Sequence, residues 1–107
     1  MTYPVRVTSA AWRDLTEIYD WIAENDSIES AGLVLDRIWE AAEGIAAMPR
    51  RGSRPKELPI KLEAEYRQVF FKPYRVIYEI RRNDIAIHLI ADGRRNLQSL
   101  LLRRLTG

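Results

Sequence analysis

Arginines and aromatic residues interleave through the second half of the chain, and their types and spacing point to anion recognition. Arg67 and Arg75 lie in two β-rich runs joined by a short turn, Arg94 and Arg95 follow Asp92-Gly93, and Arg103 and Arg104 stand near the end. Tyr66, Phe70, Phe71, Tyr74 and Tyr78 are threaded among the first two. A guanidinium presents a rigid fork of donors that fits phosphate, and aromatic faces stack on bases, so this mixture suits RNA or another polyanion. The plainer alternative is that the strand arginines pair with acidic helices while the aromatics fill the core.

Other chemistry finds little footing. Zero cysteines and a single histidine exclude disulfides, cysteine-ligated zinc, iron–sulfur clusters, thiol nucleophiles and a multi-histidine metal site within one chain. No metal and no cofactor is therefore expected. His88 sits inside a strand-like run, where packing or plain exposure is the commoner role. Ser99, His88 and Asp92 do not make a triad, because no strand–turn nucleophile elbow surrounds Ser99. Glu63 and Glu65 read as a solvated acidic pair. Gly32, Gly44, Gly52 and Gly93 are isolated, so no glycine-rich loop is available to cradle a phosphate.

The elements that must carry these residues are legible from periodicity. Residues 3–8 alternate as a short strand, with Pro4 suited to its start. Ser9 is the expected N-cap of a helix to about Asn25, whose apolar positions are Trp12, Leu15, Ile18, Tyr19 and Ile22. Asp26 with Glu29 fits a capping box opening a second helix, ended by Pro49 and Gly52. Trp12 falls on the core stripe, and Trp21 and Trp39 fall at stripe edges. So short a connection makes the two helices an antiparallel hairpin. Residues 49–63 are irregular, with Pro49, Gly52, Pro55 and Pro59 among the bases Arg50, Arg51, Arg54, Lys56 and Lys61. Three period-two runs follow, 66–71, 74–80 and 85–91, with turns at Lys72-Pro73 and Asn83-Asp84. Leucines from Leu97 to Leu105 then mark a short terminal helix, apolar over a wide arc. The expected order is β-α-α-β-β-β-α, an α+β fold with a helical hairpin packed on a small antiparallel sheet.

At 107 residues the chain has room for one domain, expected over 1–107. Its formal charge of +2 conceals a dipole. Residues 1–43 hold nine acids and three bases, a balance of −6, whereas 44–107 hold six acids and fourteen bases, a balance of +8. The acidic part coincides with the hairpin and the basic part with the sheet and tail, which points to an acidic or polyanionic partner for the latter. No apolar run reaches the roughly 18–20 residues of a membrane span, and the start Met-Thr-Tyr-Pro-Val-Arg carries no signal-peptide stretch. A cytoplasmic setting is expected.

The local strings are similar to those of a known family. They are Val-Arg-Val-Thr-Ser-Ala-Ala-Trp-Arg-Asp-Leu at 5–15, Met48-Pro49-Arg50-Arg51-Gly52, Glu65-Tyr66-Arg67, Tyr74-Arg75-Val76-Ile77-Tyr78-Glu79-Ile80, and Ile90-Ala91-Asp92-Gly93-Arg94-Arg95. In this order and spacing the chain resembles the RelE/ParE superfamily of bacterial toxins from type II toxin–antitoxin modules, which stabilise plasmids and arrest growth. The resemblance implies two targets. RelE-like members are ribosome-dependent mRNA endoribonucleases that rely on Lys/Arg groups with a Tyr, His or Glu. Under that reading Arg67, Arg75 and Arg95 would be catalytic, and ribosome and mRNA would be the partners. ParE-like members share the fold and poison DNA gyrase without that set. Val69 stands where a further base is expected, and no tyrosine follows Tyr78, so the resemblance favours the ParE-like branch. It also implies a cognate antitoxin that folds against the hairpin and the basic sheet. The candidate target- or antitoxin-binding residues are Arg94, Arg103, Arg104, Trp21, Trp39 and Leu101. A non-toxic nucleic-acid or scaffold protein on the same fold is the remaining class.

Overall fold

A computed structural model describes residues 2–58 and 63–106, so Pro59 and Lys61 of the irregular segment lie outside the described residues. The elements are β1 (Val5–Val7), α1 (Ser9–Asn25), α2 (Ile28–Ala47), β2 (Glu65–Phe71), β3 (Tyr74–Ile80), β4 (Ile85–Asp92) and α3 (Leu97–Thr106), with a single 3-10 turn at Pro49–Arg51. The order is the expected one.

Both helix caps sit one residue from their expected places. Thr8, not Ser9, caps α1, its Oγ1 accepting from the Ala11 N–H at 3.1 Å. β1 runs almost directly into the helix, and Thr8 is the last residue with extended backbone, as a cap requires. Ser27, not Asp26, caps α2, its Oγ accepting from the Ser30 N–H at 3.0 Å. Asp26 is already engaged in closing α1, because its N–H donates to the Ile22 carbonyl at 2.8 Å.

The sheet runs β1-β4-β3-β2. β2–β3 and β3–β4 are antiparallel, as expected, but β1 joins β4 in parallel, so the sheet is mixed and not antiparallel throughout. The chain leaves β1 through the helical hairpin and two strands, and β4 returns beside it in the same direction. Such a connection is what a parallel pair needs.

Each face of the sheet is covered differently. On one face, Ala11 and Leu15 of α1 and Ile38, Ala42 and Ile45 of α2 pack on Val76, Tyr78, Ile85, Ile87 and Ile90. The buried positions recur at spacings of three, four and seven, which is one stripe of a helix. On the other face, Leu97 and Leu101 of α3 pack on Ile77, Leu89 and Ala91. Burying each leucine is worth about 1.5–3 kcal/mol, enough to hold a short helix that would not persist alone.

Strand β4 serves both faces through a bulge. Ile77 lies opposite Leu89, but Tyr78 lies opposite Ile87, leaving His88 as the extra residue. Ile85 and Ile87 therefore face the hairpin while Leu89 and Ala91 face α3, and Ile90 returns to the hairpin side. β1 pairs only with Ile85, Ala86 and Ile87, so the outer edge of β4 beyond that point has no strand beside it. Side chains take over that edge. The Ile90 N–H donates to Asp14 Oδ2 at 3.0 Å, and the His88 carbonyl accepts from Arg104 at 2.7 Å.

Candidate functional site

The arginines expected to act together are separated by the pleat. Arg67 pairs across the sheet with Tyr78, on the hairpin face, and Arg75 pairs with Phe70, on the α3 face. Neither is free. Arg67 donates to the Gly52 carbonyl at 2.7 Å and to Glu65 at 3.1 Å, and Glu65 also receives Arg50 in two bonds of 3.1 and 3.0 Å. Arg75 is buried. Its fork grips Glu57 at 2.7 and 2.8 Å, its Nε donates to Gln68 at 2.8 Å, and the Phe70 ring centroid lies 5.7 Å from its guanidinium carbon. The Arg75 hydrogen bonds hold the Glu57 carboxyl below its ordinary range, against the opposing effect of burial. Arg95 lies beyond β4 and lines two clefts, neither of which Arg67 or Arg75 lines. The set Arg67, Arg75 and Arg95 therefore does not converge on one substrate position.

Two of the proposed binding residues turn out to hold the fold. Leu101 is 1% exposed, buried beneath α3, and so presents nothing to a partner. The wide leucine arc of α3 covers the second face of the chain's own sheet, and only Leu102 remains well exposed. Arg104 forms a two-pronged pair with Asp14 at 2.8 and 2.9 Å and also donates to the His88 carbonyl. The Asp14 hydrogen bonds raise the Arg104 pKa further. Asp14 thereby ties α1, β4 and α3 at one point. Arg103, the preceding residue, is exposed on α3.

Three of the remaining candidates do meet. Trp21, Arg94 and Arg95 line a cleft of about 360 Å³ between α1 and the β4–α3 junction, with Ile18 and Tyr74 as its apolar floor. Trp21 is 65% exposed there. Arg94 is clipped to Asp92 by side-chain bonds of 3.0 and 2.6 Å, and its own N–H donates to the same carboxylate at 2.9 Å. The Arg94 hydrogen bonds push Asp92 down to about 2. Among the described residues Arg95 makes no side-chain hydrogen bond or ion pair.

At the edge of the hairpin–sheet core, Trp39 packs edge-on to Trp12, with centroids 5.5 Å apart and planes at 76°. Trp12 was expected in the core but is 48% exposed, because Ala11 and Leu15 take the positions directly over the sheet. Shallow apolar clefts flank this pair, one lined by Leu15, Thr16, Tyr19 and Leu35 and one by Val5, Trp39, Ala42 and Ala46. His88 is held by Glu79 at 2.8 Å beside the Tyr66 ring. Burial pushes the Glu79 carboxyl up, but hydrogen bonds from His88 and Arg81 outweigh it and leave it below its ordinary value. No helix among the described residues is long and apolar enough to cross a membrane, and no cluster of metal-ligating side chains occurs among them.

A family model for the ParE toxin of the type II toxin–antitoxin system parDE matches residues 5–97. This chain belongs to the ParE toxin family. The toxin is 32% identical over 88 residues to Toxin ParE3 of Caulobacter vibrioides, covering 82% of this chain and 84% of that relative. Its fold is similar to a solved structure described as the chromosomal ParDE TA system from P. aeruginosa, with a TM-score of 0.71 and 22% identity over 85% of this chain and 96% of that one. The matched region includes Asp14 and Glu57, the two carboxylates that sequence reasoning passed over. Asp14 lies within the Trp-Arg-Asp-Leu string, three residues after Ala11 and next to Leu15, where a buried-edge acid is recognisable. Nothing in the Pro-rich segment around Glu57 announces that it reaches Arg75.

Proposed function

We propose that the toxin arrests growth by binding a protein target, DNA gyrase, and performs no chemistry of its own. The observation that supports this most is the division of the arginines. Arg67 and Arg75 point to opposite faces of the sheet, and each is held by carboxylate or carbonyl partners. A nuclease relying on positioned cations needs them converged on one phosphate. A toxin acting by occlusion needs only an accessible surface, which Trp21, Arg94 and Arg95 provide.

The toxin works in the cytoplasm as part of a plasmid-stabilising module, and a cognate antitoxin neutralises it. The exposed Trp12, Ile28 and Leu33 on the hairpin, 48%, 67% and 56% exposed, are apolar area of the kind a partner covers. The test is a paired assay with purified toxin. Supercoiling by gyrase should be blocked, and ribosome-bound mRNA should remain intact. Discrete cuts in the mRNA with gyrase unaffected would reverse the proposal in favour of the endoribonuclease.

A further inference from the structure

The sheet is only partly closed at its β2 edge. β2 is the outermost strand, and Ser53 pairs with Gln68 in an isolated antiparallel bridge, with bonds of 3.1 and 2.8 Å. Gln68 therefore directs its backbone groups away from β3, and by alternation so does Phe70. In the same register Arg51 would oppose Phe70. It does not, because the chain enters the 3-10 turn and the Arg51 N–H donates to the Met48 carbonyl at 3.0 Å. Among the described residues the outward N–H and carbonyl of Phe70 meet no backbone partner. Phe70 lines a cleft of about 720 Å³ between α2 and β2, with Arg37, Glu40 and Ala41 across from it.

Arg51 lines the same cleft, and its seat is rigid. The Tyr78 hydroxyl donates to the Pro49 carbonyl at 2.6 Å and Arg67 donates to the Gly52 carbonyl at 2.7 Å, so the loop is pinned on both sides of Arg51. A Cβ at Gly52 would strike the Gln68 carbonyl oxygen and the Tyr78 hydroxyl, so only glycine lets the loop lie this close. A Cβ at Gly44 would stand 2.5 Å from Arg51 Nη1, so the guanidinium rests where α2 has no side chain. Yet the Arg51 side chain has no hydrogen-bond or ion-pair partner among the described residues. A cation fixed beforehand loses little freedom on binding.

The surroundings select the occupant. Arg37 is paired with Glu40 at 3.4 Å, which leaves Arg51 as the uncompensated charge of this cleft. One cation suits a single carboxylate, not a run of phosphates. The open strand edge beside it suits an extended peptide. A lasting complex is held mostly by apolar area, which the hairpin supplies at Trp12, Ile28 and Leu33. Recognition through a strip of backbone and one charge has the character of a transient contact. We infer that the toxin's protein target lays an extended segment along β2 in this cleft, hydrogen-bonded to the Phe70 backbone and with one acidic side chain on Arg51. This contact rests on the gyrase reading given above, and it shares no lining residue with the Trp21 cleft.

The test titrates gyrase with intact toxin in a supercoiling assay and measures, in parallel, affinity for the antitoxin encoded by the neighbouring gene. Arg51→Glu should raise the toxin concentration for half inhibition about tenfold. Gly44→Ala removes no charge and favours the helix, so thermal unfolding should hold or rise. It displaces the Arg51 guanidinium all the same, and should weaken inhibition about threefold. Arg82→Glu at the β3–β4 turn reverses the same charge away from the cleft and should change inhibition less than about twofold. Arg51 and Arg82 are both exposed, so neither reversal should alter thermal unfolding. Hydrogen exchange reads the backbone contact. The Phe70 amide should exchange fast in free toxin and slowly in the gyrase complex, whereas the amides of Val69 and Phe71, directed at β3, should be slow in both. Wild-type inhibition by Arg51→Glu and Gly44→Ala, an equal loss in Arg82→Glu, or an unprotected Phe70 amide in the complex would each overturn the inference. So would lost antitoxin affinity in Arg51→Glu with inhibition unchanged, which would assign the cleft to the antitoxin. Wild-type toxin that leaves gyrase active would instead overturn the target reading, and this contact with it.

Discussion

The two faces of the sheet are held by different forces. The hairpin face is apolar across its width, where Leu15, Ile38 and Ile45 interdigitate with Val76, Tyr78 and Ile87. The α3 face has a smaller apolar patch around Ile77, Leu89, Leu97 and Leu101, flanked by paired charges. Arg75 with Glu57 secures the preceding loop on one side of that patch, and Arg104 with Asp14 secures the tail on another. The contrast shows that part of the basic character of this chain is internal. Arg75 and Arg104, which look like a recognition surface when counted along the sequence, fasten one face.

That contrast can be broken at its charged half first. Glu57→Ala leaves the buried Arg75 without its two-pronged partner and should cost about 3–5 kcal/mol in unfolding free energy. Glu57→Leu combined with Arg75→Met should recover most of the loss in denaturant titration. A cost below about 1 kcal/mol for Glu57→Ala would mean the pair does not hold the α3 face. On the apolar half, Ile45→Ala removes a fully buried side chain and should cost about 2–5 kcal/mol with no dependence on salt.

Arg104→Ala should cost less, about 1–3 kcal/mol, because Asp14 keeps the Ile90 N–H and gains access to water. Its signature is local: faster amide exchange across α3 with the hairpin core unchanged.

Acid sharpens the comparison further. Glu57, Glu65 and Glu79 are held below 4.5, and Asp92 is lowered from 3.8 to about 2. A depressed folded pKa gives stability that is present above the unfolded value and lost as pH falls through the folded one. Stability should therefore decline below about pH 4.5 and keep falling toward pH 2, and Glu57→Gln should flatten that slope. The smallest effect is alkaline. Burial raises the Tyr78 hydroxyl above 10.0, and the neutral hydroxyl donates to the Pro49 carbonyl at 2.6 Å. Stability from this group is present below pH 10 and is lost as pH rises through the folded value. Tyr78→Phe should cost about 1 kcal/mol at neutral pH and lose that alkaline decline.

The elements were readable because each carries its own period. The β2–β3–β4 meander, for instance, declares itself through alternation and through Lys72-Pro73 and Asn83-Asp84. The separation of Arg67 from Arg75 was readable too. A two-residue turn at 72–73 sets Phe71 opposite Tyr74, which places Phe70 opposite Arg75 and Tyr78 opposite Arg67. Counting bases along the chain ignores that alternation. The bulge at His88 was not readable, since Ile-Ala-Ile-His-Leu-Ile-Ala is apolar on both sides of it and only the partner strand reveals the extra residue. The parallel seat of β1 escaped for a related reason. Three residues carry no mark of which neighbour they will choose. Arg75 and Glu57 stand eighteen residues apart, and Glu57 lies outside the strands, where no periodicity marks it.

The brevity of β1 has a consequence for how the fold tolerates change. Its three residues end where Asp14 and Arg104 take hold of the β4 edge. A longer first strand would compete with those side chains for the same amide and carbonyl. Each residue of added pairing would loosen the attachment of the tail, so the start and the finish of this chain are rivals for one strip of backbone. An insertion near Val7 is thus felt at the far end of the sequence, at Arg104 in the last helix.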